Sequence, residues 1–317
     1  MTTYLVRRLL QAAVVLLLVS MLVYGLLWLL PGGPEQAMLA GNASGAQLGA
    51  LRHDYGLGSP VVLEYLHWLG QILRGNLGYS YVENASVASL LAASLPRTLA
   101  LTLTATAVGA AVAIPAGLAQ AARRDTAADR LGRALSYIGY GMPSFFLGSV
   151  LILLFAVRRH WFGAEGPQAP GIVGVLTDWR DLTLPVLTLS VVTVAVFTRY
   201  VRSAAIDSLG QDYVRTARAV GAGRALVLRR HVLRNSLTPV ISLAGLSIPR
   251  ILAGAVVVES LFNIQGVGWR LWQAAQKHDY AVLLGFILVI GAGAVIGSLV
   301  ADIGYMIADP RVRHGRT

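Results

Sequence analysis

The side chains best placed to do work in this chain are arginines that lie outside its apolar runs. The stretch Gln211-Asp212-Tyr213-Val214-Arg215-Thr216-Ala217-Arg218-Ala219-Val220-Gly221 is polar and basic, and a second basic piece ends in His231-Val232-Leu233-Arg234-Asn235. Asp212 stands where the first turn of a helix favours an acid, and Gly221 where a helix stops. About ten residues between them make roughly 15 Å of helix. Tyr213, Ala217 and Val220 recur at i, i+4 and i+7, so the spacing predicts one narrow apolar face with Arg215 and Arg218 off it. A loop that only sets topology needs neither that face nor a glycine stop. A short helix exposing Thr216 and Ala217 suits docking into a groove on another protein. A second helical piece is predicted over about Arg224 to Asn235, carrying Arg229, Arg230 and Arg234.

Other chemistries find no footing. The chain has no cysteine, which removes disulfides, thiolate catalysis and cysteine metal sites. The sequence shows no clustered His, Asp and Glu and no nucleophile set. No Gly-x4-Gly-Lys-Ser/Thr phosphate loop occurs, so ATP hydrolysis would have to come from elsewhere. The expectation is a non-enzyme that binds no cofactor and no metal itself.

Two charges interrupt apolar sequence. Arg250 lies midway along a run beside Pro249, and Glu259 closes that run. Charge inside a membrane is expensive and turns towards a cavity or a partner. Arg250 is read as facing a translocation path or a subunit interface. The alternatives are bonds to carbonyls that Pro249 frees, or a pair with an acid on another subunit. Glu259 is read as lining a gate or as marking an interface.

The frame that must position these residues is membrane-grade. Of 317 residues, 56% are hydrophobic and only 13% charged, about half the charged share of a soluble domain. Mean hydropathy is +0.63. Crossing the hydrocarbon takes about 20 apolar residues as helix. Six runs qualify: about Leu9–Leu30, Thr98–Gln120, Ala134–Val157, Leu182–Val201, Leu237–Glu259 and Ala281–Tyr305. The first is too long for a signal-peptide core and is read as retained.

The net charge of +11 follows topology rather than nucleic acid. One alternate set of connecting segments carries seventeen arginines, Arg215, Arg218 and Arg224 among them; the other carries seven basic residues. The positive-inside rule then places both termini and the 211–221 stretch in the cytoplasm. About 65 residues, Pro31 to Pro96, face outward after the first span. Apolar residues spaced over Val61–Leu69 predict a short helix there, packed on the bundle or lying at the interface. Further outward loops run over Arg158–Asp181 and over Leu261–Tyr280, the latter with Trp269 and Trp272.

Arg215-Thr216-Ala217, then Gly221, then His231-Val232-Leu233-Arg234 resembles the "EAA" loop of ABC importer permeases, closest to the dipeptide/oligopeptide branch. An ordered series along the chain is similar too. It includes Tyr4-Leu5-Val6-Arg7-Arg8, Gly75-Asn76-Leu77-Gly78-Tyr79-Ser80, Leu95-Pro96-Arg97-Thr98-Leu99 and Gly141-Met142-Pro143-Ser144-Phe145-Phe146. Leu184-Pro185-Val186-Leu187, Gly254-Ala255-Val256-Val257-Val258-Glu259 and Asp309-Pro310-Arg311 continue it. Val220 departs from the pattern, standing where the family often has lysine.

The resemblance implies an all-α integral membrane protein, a six-transmembrane-helix type I importer permease with a cytoplasmic coupling-helix loop. It implies residues 1–96 as a first span plus large outer loop, 97–309 as a five-helix core with the coupling loop at 203–236, and 310–317 as a cytoplasmic tail. The implied partners are a second homologous permease, two cytoplasmic ABC ATPase subunits holding ATP and Mg, and an extracytoplasmic binding protein. The implied cargo is a peptide, the implied place a bacterial inner (cytoplasmic) membrane, and no nucleic acid is involved. Asp212, Tyr213, Arg215, Thr216, Ala217, Arg218, Gly221 and Arg224 would grip the ATPase subunit. Nickel or glutathione remain alternative cargoes, and an ion-coupled secondary transporter is the rival class.

Overall fold

The computed structural model describes residues 2–29, 59–80, 82–234, 236–237 and 255–308. The core of the fifth apolar run, Arg250 included, lies outside the described residues.

The described chain is almost wholly helical. It opens with α1 (Thr2–Trp28) and α2 (Val61–Leu73), then a two-stranded antiparallel hairpin, β1 (Tyr79–Ser80) with β2 (Ala85–Ser86). Next come α3 (Val87–Ala122), α4 (Ala127–Gly141) and α5 (Ser144–Leu151), the last continued by a π-helix over Ile152–Arg158. α6 (Gly171–Thr177) and α7 (Trp179–Leu209) lead to α8 (Asp212–Ala219). α9 (Arg224–Leu226) passes into a second π-helix, Val227–Val232, and α10 (Val256–Leu261), α11 (Val267–Gln276) and α12 (Tyr280–Ala308) complete the order.

Among the described residues three helices are long and apolar enough to cross a membrane: α3, α7 and the Tyr280–Ser298 part of α12. α4 and the Ser144–Arg158 helix pass that test only as a pair, bent by 100°. This corrects the continuous third span expected over Ala134–Val157. The cause is local: the ring of Pro143 bars the helical conformation to Met142, whose ψ is 123°, and Pro143 then starts α5. Pro96 and Pro115 lie inside α3 without ending it.

α3 and α7 form the central pair, and small residues set their approach. A methyl group at Gly117 would lie 2.7 Å from the Val201 β-carbon and 2.8 Å from the Thr198 carbonyl, so only glycine fits there. α4 is fastened to α7 by ions. The fully buried Asp129 carboxylate accepts both ends of the Arg202 guanidinium, at 2.7 and 2.8 Å, and also the backbone N–H of Asp125 at 3.0 Å.

α2 exists as expected, and it is held against α1 by an aromatic cluster. The Ser20 and Tyr65 hydroxyls lie 2.7 Å apart, and the Tyr24 ring centroid is 5.2 Å from that of Trp68. Glu64, Tyr65 and Trp68 make the buried face of α2, and Val62, Leu63 and Leu66 the exposed one.

Candidate functional site

α8 is the site the sequence pointed to, and its two ends are built as the residues dictate. Gln211 caps the start in extended conformation and Asp212 occupies the first turn. The stop is a Schellman motif: Gly221 N–H donates to the Arg218 carbonyl at 3.0 Å, and Ala222 N–H to the Ala217 carbonyl at 3.0 Å. The motif needs a left-handed residue, and Gly221 supplies it with φ +89°.

The buried face of α8 differs from the expected one. Val214 and Ala217 point inward, joining Ala121 at the end of α3, Ala205 on α7, and Val227 and Val232 in the second π-helix. Ala217, expected to be exposed, is therefore part of the packing. Val220 is 83% exposed because the chain leaves helical geometry at that position. Tyr213 turns its hydroxyl back to Ser208, 2.5 Å away, so its polar tip sets its direction.

The outer face of α8 is thus Asp212, Arg215, Thr216 and Arg218. Arg215 reaches Asp212 at 3.4 Å, an ion pair open to solvent on both sides, and Thr216 Oγ1 donates to the Asp212 carbonyl at 3.0 Å. Arg218 is exposed. Arg224 is exposed as well, and one of its terminal nitrogens donates to the carbonyl of Ala122. A basic, convex helix is therefore presented on a seat made from the ends of α3 and α7.

Glu259 lies at the other end of α3 and is wholly buried. Its carboxylate accepts from Thr98 Oγ1 at 2.7 Å and from Trp269 N–H at 2.9 Å. Thr98 Oγ1 in turn accepts from Val267 N–H at 2.8 Å. The pair satisfies donors at the N-terminus of α11, where a negative charge is favoured. Glu259 accordingly ties α3, α10 and α11 together.

Several charged residues escaped sequence reasoning. Arg270 donates to Ser94 Oγ at 2.8 Å and to Glu83 at 3.2 Å, and Lys277 reaches Glu83 at 3.4 Å. Asp279 accepts from Ser80 Oγ and, at 3.3 Å, from Val282 N–H at the start of α12. Burial pushes the Asp279 carboxyl above the usual carboxylate range, against the hydrogen bonds from Ser80 and Val282. Only the i, i+3 relation of Asp279 to Val282 could be read locally; the other partners are far apart in sequence. Among the described residues no group of three His, Cys, Asp or Glu is placed to hold a metal.

The family described as "Binding-protein-dependent transport system inner membrane component" matches residues 113–314, and its N-terminal component matches residues 1–102. The chain is 37% identical to a Brucella ovis protein provisionally named a peptide permease, over 99% of each chain. It is 36% identical to the oligopeptide transport system permease protein AppB of Bacillus subtilis, over 99% of this chain and 100% of that one. It is 34% identical, with the same coverage, to the glutathione transport system permease protein GsiC of Salmonella typhimurium. With both parts of the family pattern matched and relatives aligned from end to end, this chain belongs to the inner membrane components of binding-protein-dependent transport systems.

Proposed function

We propose that this chain is a permease subunit of an ATP-driven peptide importer in a bacterial inner membrane. It crosses the membrane six times with both termini in the cytoplasm, and it pairs with a second, homologous permease to form the path. An extracytoplasmic binding protein delivers peptide to the outer end. Two cytoplasmic ATPase subunits, which carry ATP and Mg, dock on the 203–236 loop.

The observation that carries this reading is α8 itself. A helix of eight residues is too short to hold its shape alone. It is fixed by Val214 and Ala217 on the ends of α3 and α7, while Asp212, Arg215, Thr216 and Arg218 face away from the bundle. A push on that outer face goes directly into the two central helices. The differential binding that ATP gives the partner subunits can thereby bias the bundle between two access states. The peptide cargo is supported by the names of the relatives, among them an oligopeptide permease and a permease for glutathione, itself a tripeptide.

Reconstitution tests this. Uptake of short peptides into proteoliposomes should require the second permease, the ATPase subunits, ATP and the binding protein together. Uptake by this chain alone, driven by an ion gradient, would sink the reading.

A further inference from the structure

Beside α8 lies a cavity of about 410 Å³. Its apolar walls come from Ala122 at the end of α3, Leu209 at the end of α7, Ala222 just past the Gly221 stop, and Leu228 in the second π-helix; Arg218 and Arg224 also line it. Among the described residues neither guanidinium pairs with a carboxylate. The site is open to solvent and sets two cations beside aliphatic side chains, a pattern complementary to an acid carried on an apolar stem.

Its depth selects the source of that acid. Ten residues earlier on α7, Arg199 stacks 5.0 Å from the Tyr137 ring centroid and 5.8 Å from that of Tyr140, both rings being exposed. Tyrosines with an arginine mark the level where a helix leaves the bilayer. Leu209 lies about 15 Å further along the helix. A headgroup layer is only about 5–7 Å thick, so the cavity sits beyond lipid and in the aqueous phase. The whole 203–236 loop has six arginines and two aspartates, so an acidic surface is what it attracts.

We propose that this cavity is a socket for a carboxylate-bearing side chain of the ATPase subunit that docks on α8. The inference rests on the importer reading above and deepens it. A helix merely seated on a partner transmits a push. A side chain held between Arg218 and Arg224 by charge-assisted hydrogen bonds also lets the partner pull. The contact then works in both directions of the ATP cycle.

The test uses both permeases in nanodiscs and measures binding of the ATPase subunits. Ala222→Phe and Ala122→Leu narrow the cavity from separate walls and leave both arginines in place. Each is expected to weaken binding by about tenfold or more, with an unchanged melting temperature of the permease. Arg218→Gln with Arg224→Gln should weaken binding too and flatten its dependence on salt. Wild-type affinity in both cavity variants overturns the socket. It is also overturned if phosphatidylglycerol stabilises the wild type over phosphatidylcholine, Ala222→Phe abolishes that gain, and ATPase binding is untouched; the cavity is then a lipid site. If the unaltered permease pair binds no ATPase subunit, the importer reading itself fails, which is a separate result.

Discussion

Arg202 on α7 holds Asp129 on α4 by both ends of its guanidinium, with Nε at 2.7 Å from one carboxylate oxygen and Nη2 at 2.8 Å from the other. Arg133 adds a weaker approach at 3.8 Å. The geometry forbids α4 to slide along α7 without breaking two charged bonds at once. α4 is therefore fastened to the helix that leads into α8, and the chain bends by 100° at Pro143 beyond it.

Neutralising Asp129 leaves Arg202, a part-buried cation, without its bidentate partner. Asp129→Asn is expected to destabilise the protein by about 3 kcal/mol, read as a lower midpoint of thermal inactivation in detergent. The double change Asp129→Leu with Arg202→Met should recover most of that loss, because an apolar pair needs no desolvation. A double variant no more stable than the single one would show that the ion pair is not the fastening.

Gly221→Val should leave membrane insertion intact and uncouple the protein. A β-branched residue at φ +89° is strained whatever space surrounds it. The Schellman bonds from Gly221 and Ala222 would be lost and α8 would fray at Arg218. Substrate-stimulated ATP hydrolysis by the assembled transporter is expected to fall several-fold. Unchanged stimulation would count against α8 as the coupling element.

Thr98→Val strips two partners in one step, the Glu259 carboxylate and the Val267 N–H. Each polar group left buried and unpaired costs about 1–3 kcal/mol. The effect should be local: faster hydrogen exchange at the amides of Val267 and Trp269, with those of α7 unaffected. Uniformly faster exchange would mean that Thr98 supports the whole bundle instead.

The Asp279 carboxyl gives a signed pH effect. Its folded value is raised by burial, so between about pH 4 and that raised value the folded state holds more proton than the unfolded one. Stability is therefore fully present below the unfolded value and declines as pH rises through the folded one. Asp279→Asn keeps a capping side chain at the start of α12 and should flatten this slope. Midpoints measured across acidic to neutral pH check it; a slope of the same size in the variant assigns it to another group.

Much of the scaffold was legible because it rests on local pattern. Gly221 as the stop of α8, Asp212 in its first turn and a helix at Val61–Leu69, which runs on to Leu73, all follow from spacing and turn chemistry. The buried face of α8 differs from the expected one because the i, i+4, i+7 spacing of Tyr213, Ala217 and Val220 passes over Val214, which packs inward. The tyrosine hydroxyl prefers Ser208, and a residue at the cap no longer follows helical direction. Glu259 could not be resolved from sequence because its partner Thr98 lies 161 residues away. The break at Met142-Pro143 was written in the chain, but the apolar run on either side concealed it.

The π-helical return from α8 has one more consequence. Over Val227–Val232 the backbone bonds run to the fifth neighbour instead of the fourth, a looser winding used in short pieces. Removing one residue from α7 would rotate everything beyond it by about 100°. Removing one from Val227–Val232 would instead let the segment tighten to an α-helix with both flanks still in phase. The joint thus stores one residue of slack, which lets α8 and the helical residues after Val232 keep separate registers.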